Sequence, residues 1–422
     1  MVAIAVVGLP CTGQATLLTP ADRAQLVGDA GDDVVIDPER SKPRIKPSSI
    51  VHYNLLHQAK GHARSSGSGP LRHDWSSIVD AWDFASEPAF RAMFESRLID
   101  RCIVMVVPTS ELQDRMKGGG DAGASGTATD REFWEAAMQH LPLARIYELL
   151  FQQLDARGVP YEVVMSSTTV GLVPTDRVFV HHNLRGKHIS LPDPEVVHAT
   201  ANSPNCVYQS VRLPHSIVTP TQGNDHLPKD RDWVLAALLP NDIAGSSVLD
   251  IGSAMGALLF VAERMGAERL VGVEIDHRRH AGSVSLAEVL HSQVHLQRGD
   301  FEAFSSDETF DHVFALNVLH HVPNFRVFLE KAAFAASKTL TLEFPTLIDH
   351  KFAHAHRLAK LLLAPLNRLP LIGVSSIRAV DQTYVYSPVA VKHLVMNEIG
   401  GFRSCVRAKS ENSHRVVMRF SR

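Results

Sequence analysis

"SSVLDIGSAMGALLFVAERMGAERLVGVEID", Ser246 to Asp276, decides the fold of the second half of this 422-residue chain. Its first apolar run predicts a buried strand that ends in a turn holding Asp250, Gly252, Ser253 and Gly256. A helix follows, and "RLVGVEID" predicts a second strand ending at Glu274. This order of parts binds a nucleoside. The glycines let the backbone approach a ligand, and an acid at the end of the second strand accepts hydrogen bonds from two ribose hydroxyls. A dinucleotide would also need the middle glycine of G-x-G-x-x-G, so that its pyrophosphate can rest on the helix. Here the pattern is D-x-G-x-x-x-G, with Ala254 where that glycine would stand. The turn suits a nucleoside ligand without phosphate.

Three later stretches extend the pattern. "LQRGDFEAF" places Asp300 and Phe301 after a third strand, "FDHVFALNVLHHVPN" is a fourth strand with Asn317 at its exit, and "KTLTLEFP" is a fifth. The chain closes with "QTYVYSPVAVKHLVMNEIGGFRSCVRAKSENSHRVVMRF", which reads as a helix, a Gly-Gly turn and two long strands. In combination, residues 231–422 resemble a class I S-adenosylmethionine (SAM)-dependent methyltransferase, an enzyme on a Rossmann-like sheet of seven strands that the last two complete as an antiparallel hairpin. The resemblance implies SAM as cofactor. It places Asp250, Gly252, Ser253, Gly256 and Glu274 at the glycine turn and ribose, Asp300 and the Phe301 amide on the adenine, and Asn317 beside the methionine part. Ala254 is the departure from the family's pattern.

The first half opens on "VVGLPCTGQATLL", Val6 to Leu18, after a β-rich run. Gly8 and Gly13 have the spacing of a phosphate loop, G-x-x-x-x-G-K-[ST], yet the lysine position is Gln14 and the hydroxyl position is Ala15. The charge that grips terminal phosphates and the oxygen that holds magnesium are both missing. Thr16 is no substitute, since one residue along a helix turns a side chain by about 100°. Residues 1–167 otherwise alternate strands with helices, as a parallel sheet covered by helices requires. With Arg115 beyond "RCIVMVV" and the ending "YELLFQQLDARGVPYEVVMSS", they resemble a P-loop kinase whose loop has degenerated. Either a non-catalytic, pseudokinase-like relic or a domain that retains nucleotide binding fits these residues. The Gly- and Ala-rich "KGGGDAGASGTATD", 117–130, reads as a lid or loop.

Residues 168–230 are rich in proline, and their short apolar runs "RVFVHHN" and "NCVYQSVRL" read as strands. The expected architecture is therefore two doubly wound α/β domains, 1–167 and 231–422, joined by a small β-rich connector.

What the methyl group goes onto is less constrained. His320 and His321 follow the fourth strand, where open α/β sheets hold their ligands, and are the candidate general bases. "LHH" there also serves as plain structure. Residues 350–380 contain Lys351, Arg357, Lys360, Arg368 and Arg378 and no acid. They read as a solvated lid, as a site for an anionic acceptor, or as a surface that docks on a membrane presenting a glycolipid. Kinase-like and methyltransferase modules in one chain resemble bacterial enzymes that modify surface glycans, which points to O-methylation of a small-molecule or glycan acceptor. The Pro-rich connector and "LEFPTLID" also resemble the tRNA wobble-uridine carboxymethyltransferases, making an RNA methyltransferase one alternative. A non-catalytic nucleotide- or SAM-binding regulator is the other. A net charge of −3 supplies no field for nucleic acid. His350, His354 and His356 have only Asp349 as a neighbouring carboxylate, so no metal site is expected. The four cysteines lack the two-residue spacing of metal and redox sites and read as reduced thiols, and the N-terminal apolar run lacks the flanks of a signal peptide, so a soluble cytoplasmic protein is expected.

Overall fold

The computed structural model describes residues 3–8, 33–35, 50–54, 99–117, 141–221, 231–303, 308–349, 363–374, 384–410 and 415–422. Two compact units divide the chain: Met1–Asp193 with Arg264–Gly266, and Pro194–Glu263 with Ala267–Arg422.

In the first unit the apolar runs form β1 (Ala3–Gly8), β2 (Asp33–Val35), β3 (Ile50–Asn54), β4 (Ile99–Val106), β5 (Tyr161–Ser167) and β6 (Gly171–Thr175). Their order is β2-β3-β1-β4-β5-β6, parallel except that β6 runs antiparallel to β5. The first strand thus lies inside the sheet. Helix α1 (Thr109–Lys117) follows β4, and α2 (Leu143–Ala156) buries Ile146, Tyr147, Leu150, Phe151 and Leu154. That spacing is the apolar stripe of an amphipathic helix. Gly8 ends β1, whereas Gly13, Gln14, Ala15 and Thr16 lie outside the described residues, as does 118–130.

The expected β-rich connector takes a different form. Residues 168–193 fall in the first unit and 194–230 in the second. "RVFVHHN" is helical: Asp176 accepts from the Val178 N–H at 3.1 Å and starts a 3-10 turn, Arg177–Phe179, that runs into α3 (Val180–Leu184). Every residue from Arg177 to Leu184 is buried, so an all-apolar-looking run here reflects burial on all sides and not strand periodicity. Helix α4 (Pro194–Ala201) comes next, and of "NCVYQSVRL" only Arg212 pairs, in one antiparallel bridge to Val218.

The second unit is built on seven strands: β7 (Ser247–Ile251), β8 (Arg269–Glu274), β9 (His295–Arg298), β10 (Phe310–Leu316), β11 (Ala336–Pro345), β14 (Ser404–Lys409) and β15 (Arg415–Ser421). They lie in the order β14-β15-β11-β10-β7-β8-β9, with β15 antiparallel to both its neighbours and the other pairs parallel. Helices α5 (Asp232–Leu238), α6 (Ala257–Arg264), α7 (His277–Val289) and α8 (Phe325–Ala335) alternate with the first strands of this sheet. β12 (Ile372–Val374) and β13 (Tyr384–Tyr386) form a separate antiparallel pair, and α9 (Pro388–His393), capped by Ser387 Oγ on the Ala390 N–H, continues into a π-helical turn. That turn stops at Gly400 and Gly401, whose φ values of 78° and 82° glycine adopts without a Cβ penalty.

The interior of this unit is a continuous cluster from β7, β10, β11 and β15 with α8 and Tyr386. Phe344 and Tyr386, both fully buried, meet edge to face at 5.9 Å. Replacing Phe344 by alanine is expected to weaken the second unit by about 3–5 kcal/mol, measured by urea unfolding of the full chain.

Candidate functional site

The carboxyl ends of β7, β8 and β10 form one edge of the second sheet, the edge at which open α/β folds hold ligands. Loops leave it there, as one does after β9, and Glu274 ties together those that follow β7, β8 and β9. Its Oε2 accepts from the Ala254 N–H and its Oε1 from the Asp276 N–H, both at 2.8 Å, while its carbonyl accepts from the Gly299 N–H at 3.0 Å. Glu274 is buried in the process. Each carboxylate oxygen keeps a further lone pair for a hydroxyl donor.

The glycine turn is bent by backbone alone. Gly252 and Ser253 both donate to the Val273 carbonyl, at 2.8 and 3.1 Å, and Gly256 donates to Ser253 O at 2.8 Å. Gly252 and Gly256 have φ values of 71° and 79°. At Gly252 the missing side chain serves a second purpose, because a Cβ would collide with Cγ2 of Val318 in the exit from β10. Ala254 also adopts positive φ, 49°, a conformation that costs a residue with a Cβ roughly 1 kcal/mol. Its bond to Glu274 holds it there. Ser253 is buried with its Oγ against Gly272 of β8, where an added Cβ would lie 2.8 Å away, so that hydroxyl faces the sheet.

Asp250, at the end of β7, is buried beside this turn. Burial first, and the Glu274 charge second, push its carboxyl up to about 8. Asp300 is exposed, its Oδ1 accepting from the Glu302 N–H at 2.9 Å. Phe301 turns its ring into the core, edge-on to Phe328 at 5.5 Å. The exposed Ile275 follows Glu274, an apolar side chain at the ligand edge that sequence reasoning passed over, although its position after the acid was legible.

Asn317, at φ 61°, leaves β10 in a left-handed conformation that asparagine tolerates. Its N–H donates to Glu343 O at 2.9 Å and its Nδ2 to Glu343 Oε2 at 2.6 Å, while Arg415 Nη1 donates to its Oδ1. Ser410 Oγ completes the group on Glu343 Oε1. Both ends of the carboxamide are therefore held by protein. Glu343 and Arg415 were not singled out in the sequence; an acid inside the apolar run "LTLEFP" was the available signal. Beyond Asn317, the turn Leu319–His321 presents His321 to solvent and buries His320, with the two rings 4.0 Å apart. The Tyr386 hydroxyl donates to Leu319 O at 3.2 Å and braces this turn; burial holds that phenol protonated, its pKa well above the usual tyrosine range.

The structure thus gathers Gly252, Ser253, Gly256 and Glu274 in one hydrogen-bonded turn with Asp250 buried beside it, sets Asp300 near it through Gly299, and brings the Asn317–Val318 segment against Gly252. Of the basic segment only 363–374 is described, with Arg368 exposed; Lys351, Arg357, Lys360 and Arg378 lie outside the described residues. Among the described residues no group of three His, Cys, Asp or Glu side chains is placed to hold a metal ion, and no helix is long and apolar enough to cross a membrane.

Asp250 sets a pH signature. Its folded pKa lies above the unfolded value of about 3.9, so the native state binds the extra proton and stability falls as pH rises through the interval up to about 8. Urea unfolding between pH 5 and 9 is expected to show this decline in the parent, with a slope of up to about 1.4 kcal/mol per pH unit, and a flatter profile in Asp250→Asn.

Residues 227–379 match a family model described as a methyltransferase domain. No curated protein matches the chain. Among solved structures it is similar to the N-terminal domain of EvdMO1 with SAH bound, at 16% identity over 56% of this chain and 98% of that one, with a TM-score of 0.40. It is also similar to magnesium protoporphyrin IX methyltransferase (ChlM) from Synechocystis PCC 6803, at 18% identity over 45% and 81%, with a TM-score of 0.34. A third similarity is to an S-adenosylmethionine-dependent methyltransferase from Mesorhizobium loti, at 12% identity over 46% and 98%, with a TM-score of 0.34. The chain carries a methyltransferase domain at 227–379 and is an enzyme of that kind.

Proposed function

We propose that the chain transfers the methyl group of SAM to an oxygen of a small-molecule or glycan acceptor, with glycolipids and anionic acceptors within that class. The observation that carries this reading is the closure of the cofactor turn by Glu274, on Ala254 and Asp276, at the ligand edge of the sheet. In this reading the remaining lone pairs of Glu274 accept the ribose hydroxyls. Ile275 and the Phe301 amide flank the adenine with Asp300 at its rim, and Asn317, fixed by Glu343 and Arg415, borders the methionine part. Transfer is an in-line displacement: the acceptor oxygen forms a bond to the methyl carbon as the carbon–sulfur bond breaks, and the oxygen's proton passes to a base. Positioning supplies most of the rate. His320 or His321 takes the proton, and of the two His321 is the exposed one. The cations of 350–380, which no acid offsets, support an anionic acceptor or a membrane-borne one. The free thiols Cys102, Cys206 and Cys405 support a reducing, cytosolic location.

For the first unit, the parallel order β2-β3-β1-β4-β5 with Gly8 at the end of the inner strand β1 supports a P-loop kinase-like ancestry. Gln14 and Ala15 support a non-catalytic descendant.

Incubating the protein with methyl-labelled SAM and fractionated extract identifies the acceptor; label in the glycan or small-molecule fraction supports the reading, and label in RNA alone overturns it. Glu274→Gln is expected to weaken SAM by about 1.5–3 kcal/mol in calorimetry, the range for hydrogen bonds to a charged group. An unchanged affinity would remove the ribose from Glu274. ATP with magnesium is expected not to bind the parent tightly, and Gln14→Lys with Ala15→Ser to restore some binding; micromolar affinity in the parent would make the first unit a nucleotide sensor.

A further inference from the structure

A second element reaches the cofactor turn, and neither its composition nor its spacing announced it. The segment after α4 runs along α7 towards the ligand edge. Asn205 presses its carbonyl onto Gly282, where any Cβ would collide, and the Cys206 thiol points to Gly282 O at 3.7 Å. One turn of α7 nearer the edge, the Arg279 guanidinium lies over the Tyr208 ring at 3.8 Å. Gln209 then arrives on the glycine turn itself, its N–H donating to Met255 Sδ at 3.3 Å.

Gln209 is pinned from the other side as well. Thr219 Oγ1 donates to Gln209 O at 2.6 Å, the Val211 N–H donates to Thr219 Oγ1 at 2.8 Å, and the Thr219 N–H donates back to Val211 O at 3.0 Å. The hairpin closes with Leu213 N–H on Ile217 O at 2.8 Å, around a tip where His215 and Ser216 both have positive φ, 61° and 58°. Two successive non-glycine residues in that region persist only where the surroundings over-determine them. The hydrogen bonds of Thr219 do so, and what they fix is the place of Gln209.

With its amide and carbonyl committed, Gln209 has only its carboxamide left to use. Its Oε1 is buried and has no hydrogen-bond partner among the described residues, and the same holds for Ser210 Oγ next to it. Buried acceptors without a donor are rare in folded proteins and point to a group that arrives with a ligand. Bound SAM carries its donors on the ammonium of the amino-acid end, on the ribose hydroxyls, which the proposed placement gives to Glu274, and on the adenine amine. The adenine side of the site lies at Ile275, Asp300 and Phe301; Gln209 sits at Met255, inside the glycine turn. We infer that the 205–219 strap is the cover of the cofactor site and that Gln209 Oε1 accepts a hydrogen bond from the ammonium of SAM. This rests on SAM lying along the turn as described above.

The test is calorimetry of the full chain with two ligands, SAM and 5′-methylthioadenosine, which keeps the nucleoside and lacks the amino-acid end. Gln209→Met, which keeps the length and loses the acceptor, is expected to raise the Kd for SAM about 10-fold or more, the scale of a hydrogen bond to a charged partner, and to leave methylthioadenosine unchanged. Gln209→Glu keeps an acceptor oxygen and is expected to retain SAM binding. An unchanged SAM affinity in Gln209→Met, or equal losses for both ligands, overturns the inference. Should Gln209→Met not fold, by its circular dichroism and thermal midpoint, Gln209→Asn draws the acceptor back by one methylene and is read in the same way. A parent that binds neither ligand would instead overturn the placement of the cofactor.

Discussion

The ligand edge of the second unit depends on one carboxylate. Glu274 leaves β8 with both oxygens bonded to backbone amides, one in the turn after β7 and one in its own exit, and its carbonyl takes the Gly299 amide after β9. Charge-assisted hydrogen bonds of this kind are about twice as strong as neutral ones. They stabilise a turn whose Ala254 is otherwise strained at φ 49°. The residue expected only to receive a ribose therefore also shapes the turn after β7 and its own exit from β8. Ala254 is tolerable where a glycine would be easier because its amide has a charged partner.

The same economy governs the next strand of the sheet. The exit of β10 must come close enough to the glycine turn that Val318 occupies the space a side chain at Gly252 would fill. Asn317 makes this approach possible by taking a left-handed conformation, and its amide, locked between Glu343 and Arg415, holds it. Its contribution to a ligand is then the course of the backbone, with the carboxamide working as a brace. A buried polar network in which the members satisfy one another rigidifies the segment it ends on.

How much of this the sequence disclosed follows from the range of the interactions. The glycine turn, the acid at Glu274, the seven strands and the closing hairpin were legible because each is written in adjacent residues: short apolar runs, turn glycines, and fixed spacing along the chain. The helical form of 177–184 was not, because burial on every side removes the periodicity that separates strand from helix. Glu343 and Arg415 were missed because their partner, Asn317, stands 26 and 98 residues away. Gln209 and Met255, 46 residues apart, meet through a main-chain amide and a thioether, neither of which leaves a mark in composition.

The two acids at this edge have different duties because their surroundings differ. Glu274 spends its charge on amides that point at it. Asp250 stands beside it, and burial together with the Glu274 charge pushes its carboxyl up to about 8. A carboxyl buried next to another carboxylate, and without donors pointed at it, is driven towards its neutral form in this way. SAM is a cation at its sulfur and carries an ammonium. On the proposed placement of SAM, a cation along this edge offsets the repulsion between the pair and favours the ionised form of Asp250, which links its binding to proton release there.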